Sequence, residues 1–554
     1  MAVVTATIKS EGKEMESDYE LLSIDVSKEF NKIPVAELRL IDGDVSKKEF
    51  KILDEGFFEP GKKIEIALKY EGEPENEDTI FIGMVMDQSL ELNKFGTTLT
   101  ILMSDEAIRM TNVRKNAVYT NEKDSDIIIA QIQQNGLEGT MAATKVTHPQ
   151  MIQYAATDWD FMVSRAEANG QLVSANDGVI SVVKPILKET VKKDSLFKLE
   201  LGNDEIYDFD LKVNATNQYP TVTSVAWDSN KQRLTKPVEG DEYKLAQGDY
   251  KISKIAAAAG TEEITLIHAA AMSPEELKAW SDSQIVKSRL SFFRGWFKIP
   301  GTPKVKVGET ILIEGLGKTF TGKNIISGVR HEVTPKGWIT HLQIGMDSSW
   351  FSARPNVTDT KAAGLLPGIN GLQIGIVMAH KKDPNHPFQV RVTIPALGAD
   401  QDTVWARLAS IGSGAESGIF FKPEKGDEVI VGFLNDDPRQ AIILGSMHSA
   451  VNKAPIPFDE KNSQKGIFTK SKYQLLFDED KEVITLSTSE KNQISIDEKQ
   501  KIINLSDTNG NQVELSKDGV MIISAKDCQI TSEGNLNIEA KGNVSIKGSK
   551  VDLI

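Results

Sequence analysis

A single cysteine, Cys528, stands in 554 residues, so no intrachain disulfide can form, and the chain suits a reducing compartment. No stretch approaches the ~18 consecutive apolar residues that a membrane helix needs. The opening residues Met1-Ala2-Val3-Val4-Thr5 show neither a charged leader nor an apolar signal core. The expectation is therefore cytoplasmic synthesis without a signal peptide, with any export left to a dedicated machine. Positive charge is in deficit: 64 Lys and Arg against 79 Asp and Glu leave a formal charge of -15. That sign disfavours a nucleic-acid partner, whose phosphates require a basic surface.

Catalytic signatures are scarce too. The seven histidines, His148, His268, His331, His341, His380, His386 and His448, include no pair at i, i+4 and have no cysteine pair beside them, whereas zinc needs three or four converging ligands. Glu314-Gly315-Leu316-Gly317-Lys318-Thr319 copies the end of a phosphate loop, but Leu312 stands where an earlier glycine belongs, and strands flank it. It reads as a hairpin turn. Gly412-Ser413-Gly414-Ala415-Glu416-Ser417-Gly418 lacks the strand-to-helix setting of a nucleophile elbow. The expectation is a protein that is not an enzyme and carries no cofactor and no metal.

What the sequence has in quantity is a short repeat. From roughly 490 to 554 an apolar-x-apolar triplet alternates with a polar turn: Ile494-Ser495-Ile496, Ile503-Asn504-Leu505, Val513-Glu514-Leu515, Met521-Ile522-Ile523, Cys528-Gln529-Ile530, Leu536-Asn537-Ile538, Val544-Ser545-Ile546 and Val551-Asp552-Leu553. A period near eight residues is too short for a helical repeat. It predicts a rod of strands with one apolar stripe, which a lone chain cannot bury. Three identical chains are the simplest remedy, each forming one side of a triangular prism. Cys528, Ile530, Leu536, Ile538, Val544 and Ile546 would then point at the axis of the trimeric needle. Each buried Ile, Leu or Val contributes about 1.5 to 3 kcal/mol. Some ten strands from near Gln474 to Ile554, at about 4.8 Å each, would span about 45 Å.

Upstream, residues 1 to 110 alternate in the strand period and read as a first barrel-like hub domain; 111 to 200 form a helical, mixed connecting region; 201 to 350 form a second hub barrel with a helix. Asp158-Trp159-Asp160-Phe161 opens a helix ending at Gly170, with Asp158 as its expected cap. Ser273-Pro274-Glu275-Glu276 has the capping-box pattern. The two hub barrels resemble each other: Pro60 to Ile66 answers to Val307 to Ile313, Phe81-Ile82-Gly83 to Phe320-Thr321-Gly322, and Phe95 to Thr100 to Lys336 to His341. The main difference is the acidic loop Glu71 to Asp78. Two equivalent barrels in each of three chains give six, which suits a six-fold ring. A linker at 351 to 370 leads to five predicted strands in 371 to 450, the size of an OB-fold barrel. A second linker, 451 to 466, is too short for an inserted catalytic domain, and the triple-stranded β-helix needle occupies 467 to 554.

This order resembles the VgrG family, the trimeric spike of type VI secretion systems, and the fused hub and spike proteins of contractile phage tails. The most specific markers are Val404-Trp405-Ala406-Arg407, Gly418-Ile419-Phe420-Phe421-Lys422-Pro423, Gly426-Asp427-Glu428-Val429, Val431-Gly432-Phe433, Asp437-Pro438 and Gly445-Ser446-Met447. The helix with Arg165, Glu167 and Gly170 is similar to the hub signature, as is Trp227-Asp228. The resemblance implies a homotrimer docked on an inner-tube, Hcp-like ring within a baseplate, puncturing a target envelope and carrying effectors, with membrane contact during puncture only. Unlike the phage spike, the chain has no muramidase between barrel and needle, and no domain is expected after the needle. The apolar end Val551-Asp552-Leu553-Ile554 would present a platform for a tip, and the resemblance implies a PAAR-repeat protein there. The alternatives are the spike of an extracellular phage-tail-like injection particle, or a trimeric tail-fibre adhesin or glycanase.

Overall fold

The computed structural model describes residues 3–71, 77–94, 96–185, 196–244, 246–261, 263–357, 359–380, 382–398 and 403–552. It divides into two units, 1–360 and 361–554. Most of the acidic loop Glu71 to Asp78 lies outside the described residues. Strands dominate both units, as the alternation of apolar and polar residues predicts.

The first unit is organised by a 14-stranded sheet. Its first module contains β1 (Val4–Ser10), β2 (Glu20–Glu29), β3 (Val35–Ile41), β4 (Lys63–Tyr70), β5 (Asp78–Asn93) and β6 (Gly96–Ser104). In β3, Ala36, Leu38 and Leu40 turn into the core while Arg39 between them is exposed. Helices α1 (Asp124–Gln134) and α2 (Asp158–Ala168) follow. The second module contains β7 (Asp208–Val213), α3 (Pro274–Leu290), β8 (Phe293–Pro300), β9 (Thr310–Glu314), β10 (Gly322–Thr334) and β11 (Gly337–Ile344), with a core around Phe297, Ile311, Leu342 and Ile344.

The duplication is visible in the register. Strands β4, β5 and β6 form an antiparallel meander, and so do β9, β10 and β11. One hairpin pairs Asn93 with Gly96 and the other pairs Thr334 with Gly337; equally far from each hairpin, Asp87 opposes Leu102 and Gly328 opposes Gln343, each beside a bulge. On the far side Lys63 opposes Met84 as Thr310 opposes Ile325. Two of the three sequence matches fall in this register. The third is displaced by two residues: Phe81-Ile82-Gly83 corresponds to Gly322-Lys323-Asn324, because the helical turn Gly317–Phe320 occupies the connection before β10. The segment Glu314 to Thr319 is therefore the link between two paired antiparallel strands, as its reading as a turn predicts. The modules share one sheet through β10, whose residues Gly328 to Val333 pair with Glu29 to Ile24 of β2.

Helix caps follow the sequence with one correction. Ser273 Oγ accepts from the Glu276 amide at 3.1 Å and the Glu276 carboxylate accepts from the Ser273 amide at 2.8 Å, the expected capping box. At α2 the cap is Thr157, not Asp158: Thr157 Oγ1 accepts from the Asp160 amide at 3.0 Å. Asp158 instead faces Lys115, Gln153 and Asn135, whose donors outcompete a cap.

In the second unit, β12 (Gln373–Val377), β13 (Gln389–Thr393), β14 (Thr403–Leu408), β15 (Glu428–Phe433) and β16 (Ala441–Met447) close into a barrel in the order β12-β13-β14-β16-β15. Val390, Val392, Ala406, Val429, Val431 and Ile443 fill its interior. The rod then runs through β17 (Gln464–Phe468), β18 (Gln474–Asp478), β19 (Val483–Ser487), β20 (Gln493–Asp497), β21 (Ile502–Ser506), β22 (Gln512–Ser516) and β23 (Gly519–Ile523), each antiparallel to the next. The first rod strand begins at Gln464, three residues before the expected needle boundary at 467 and ten before the first strand expected near Gln474. After Ile523 no strand is formed among the described residues.

Candidate assembly surface on the rod

Each rod strand is five residues long, and its side chains alternate between two faces. Register stacks the apolar positions on one of them: Phe477 opposes Ile484, Ile484 opposes Ile496, Ile496 opposes Ile503 and Ile503 opposes Leu515. A parallel ladder runs Leu475, Leu486, Ile494, Leu505, Val513 and Ile522. Thr485, Ser495, Asn504 and Glu514 stack on the opposite face. The apolar ladder is open to solvent in the single chain: Leu505 is 50% and Ile522 65% exposed. Soluble proteins rarely leave so continuous an apolar strip uncovered.

One expected triplet sits in the other phase. The turn Lys517-Asp518 joins Ser516 to Gly519, whose φ of 119° suits glycine, and this places Val520 against Leu515 and Ile522 against Val513. Val520 and Ile522 therefore join the apolar face, and Met521 and Ile523 do not. A one-residue slip exchanges the faces, and the wholly apolar run Val520 to Ile523 leaves the turn to decide.

Cys528, Ile530, Leu536, Ile538, Val544 and Ile546 lie in the segment after β23. All are exposed, Ile530 at 70% and Ile538 at 68%, and one chain does not bring them together into a core. At the end, Val551 is exposed and the Asp552 carboxylate pairs with Lys550 at 2.9 Å; Leu553 and Ile554 lie outside the described residues.

The hub signature residues are structural ties. Asp124, 1% exposed, accepts Arg165 Nε at 2.7 Å and Nη2 at 2.9 Å, Asn169 Nδ2 at 2.9 Å and His148 Nε2 at 3.0 Å. Burial alone would raise its carboxyl, but Arg165, Asn169 and His148 together hold it below the usual carboxylate range. Buried Glu167 accepts from Asn31 Nδ2 at 3.0 Å, Lys287 Nζ at 3.0 Å and the Phe351 amide at 2.8 Å. Sequence reasoning missed Asp124. The signal was the i, i+4 spacing of Arg165, in the last turn of α2, and Asn169, the residue that ends it. In the OB barrel, Trp405 stacks on His386 at 4.7 Å with an interplanar angle of 7°, and the Arg391 guanidinium lies 5.7 Å from the Trp405 ring. Among the described residues no three His, Cys, Asp or Glu converge on a metal position, and no helix is long and apolar enough to cross a membrane.

Residues 1–335 match the family described as the Alg8 N-terminal domain, and residues 373–448 match the type VI secretion system/phage-baseplate injector OB domain. Over 74 residues the chain is 35% identical to the actin cross-linking toxin VgrG1 of Vibrio cholerae, covering 13% of this chain and 7% of that protein. It is 32% identical over 74 residues to the type VI secretion system spike protein VgrG5 of Pseudomonas aeruginosa, covering 13% and 9%. The matched segment thus spans less than a tenth of these relatives. Among solved structures, the half-lidded Francisella PdpA-VgrG complex aligns at 11% identity and a TM-score of 0.42 over 94% of this chain and 87% of that one. The 43 kDa prophage tail protein of Shewanella oneidensis aligns at 10% identity and a TM-score of 0.46 over 62% and 99%. With its first 335 residues matched to one family, the chain belongs to the Alg8 N-terminal domain family, and its five-stranded barrel is similar to the injector OB domain.

Proposed function

We propose that three copies of this chain form the spike of a contractile injection machine of the type VI or phage-tail-like kind. The observation that carries the reading is the rod: a self-paired sheet with one uncovered apolar face, followed by a segment that forms no strand pairing among the described residues. Two further copies would cover the face and complete the pairing. Cys528, Ile530, Leu536, Ile538, Val544 and Ile546 would then line the axis. The role is mechanical rather than catalytic. Interwound strands resist unfolding because stripping one chain breaks its pairing with the others, which suits a part pushed through an envelope.

In this reading the hub modules dock on an Hcp-like inner-tube ring within a baseplate, and effectors travel on the spike. The protein is assembled in the cytoplasm and leaves by contraction. Residues Val551, Asp552, Leu553 and Ile554 hold a PAAR-repeat tip protein. Deleting residues 551 to 554 tests this assignment: the truncated protein should remain a folded oligomer but lose tip capture and cargo delivery. Full-level delivery by the truncated protein would refute the tip assignment.

A further inference from the structure

In the duplicated hub, one junction is closed and its counterpart is open. Strand β10 carries β11 along one edge; along the other it pairs with β9 up to Ile325 and then with β2 from Gly328 to Val333. Strand β5 is built alike, with β6 along one edge and β4 along the other up to Met84. Beyond that point, from Asp87 to Leu92, no strand among the described residues occupies the second edge. The counterpart of β2 is β7. Ile24 opposes Leu38, which opposes Ile101, just as Phe209 opposes Phe297, which opposes Leu342. Among the described residues, strand β7 pairs only with β8, and no strand occupies its outer edge.

Exposure tells the same story. At the closed junction Ile24 and Val26 are fully buried and His331 is 4% exposed. At the corresponding open positions Phe209 is 39% and Leu90 42% exposed and Leu211 is half-buried, while Leu92, the counterpart of half-buried Val333, is 63% exposed. An open edge with outward apolar side chains invites another strand.

We propose that β5 of one copy pairs antiparallel with β7 of the next, in the register that the chain already uses between β10 and β2. Transposing His331 opposite Val26 and Val333 opposite Ile24 sets Leu90 opposite Leu211 and Leu92 opposite Phe209, with Gln88 opposite Val213. On the other face Glu91 falls opposite Asp210, as Glu332 falls opposite Asp25 within the chain. Arg330 relieves the in-chain acidic pair by binding Asp25. Lys212, 3.2 Å from Asp210, does the same across the open junction and is diagonal to Glu91. Each copy gives one edge and receives another, a head-to-tail contact that closes into a ring or runs on indefinitely. Closure at three copies rests on the trimeric spike proposed above.

Cysteine cross-linking tests the register. In a Cys528→Ser background, Leu90→Cys with Leu211→Cys should link copies on mild oxidation, giving a non-reducing ladder that ends at a closed three-chain species. Leu90→Cys with Lys212→Cys, one residue out of register and on opposite faces, should link at least about ten-fold less. On the unmodified protein, hydrogen exchange should show the alternate amides of β7 that face the open edge protected as strongly as those of β2. An oligomer by light scattering with no Leu90–Leu211 link and fast exchange in β7 overturns the register and leaves the spike intact. A monomer overturns both.

Discussion

Arg330 and Asp25 lie 305 residues apart in the chain, yet the Arg330 guanidinium donates to both oxygens of the Asp25 carboxylate, Nε reaching them at 2.9 and 3.0 Å. They bracket the line where β10 meets β2 and the two hub modules become one sheet. The pair is partly exposed, so solvent screens most of its attraction. Arg330→Ala should cost about 0.5 to 1 kcal/mol, whereas Val26→Asp, a charge in the dry interior beneath, should cost at least about 3 kcal/mol or prevent folding. Denaturant titration of the two variants checks the contrast.

The same junction should be acid-sensitive. Burial, then Lys28 and His341, push the His331 imidazole down to about 3 from its usual 6.5. A group whose folded value is depressed supports the fold above its unfolded value and loses that support as pH falls. Stability from this residue should therefore be complete above about 6.5 and decline toward about 3. His331→Gln should flatten the decline between those limits in pH-dependent melts. An unchanged slope would show that His331 is not responsible.

The polar knot under α2 should be intolerant of partial removal. Arg165→Met leaves Asp124 buried without its main partner and should cost about 3 to 5 kcal/mol. Asp124→Asn with Arg165→Met should recover part of that loss, since the buried charge goes with its partner. Thermal melts of the single and double variants measure the coupling.

Much of this architecture was readable from the residues because local rules agreed with the final packing. The capping box at Ser273 needs only its own neighbours, and five short strands with alternating apolar residues already predict the small barrel. The triplets from Ile494 to Leu515 mark the rod's apolar face because turn and pattern coincide there. Where they stop coinciding, at Val520 to Ile523, pattern alone selected the wrong pair. The β10 to β2 junction was unreadable for a different reason: its strands pair across some 300 residues, and no local preference encodes that contact. Asp124 was hidden among ordinary surface-type acids until folding brought Arg165 and His148 to it.

The rod's two faces should respond oppositely to charge. Leu505→Asp and Ile522→Asp should block assembly, while Ser495→Asp and Met521→Asp on the other face should be mild. The same contrast is expected between Ile538→Asp and Asn537→Asp nearer the end. Size-exclusion elution of the six variants reads the effect. If Met521→Asp disrupts assembly and Ile522→Asp does not, the face assignment at β23 is inverted.

The number of copies decides whether the rod's apolar face is covered by this chain's own kind. The mass of the purified full-length protein by multi-angle light scattering should be three times 61.0 kDa and should persist on dilution. A stable, folded species of one chain mass would contradict it.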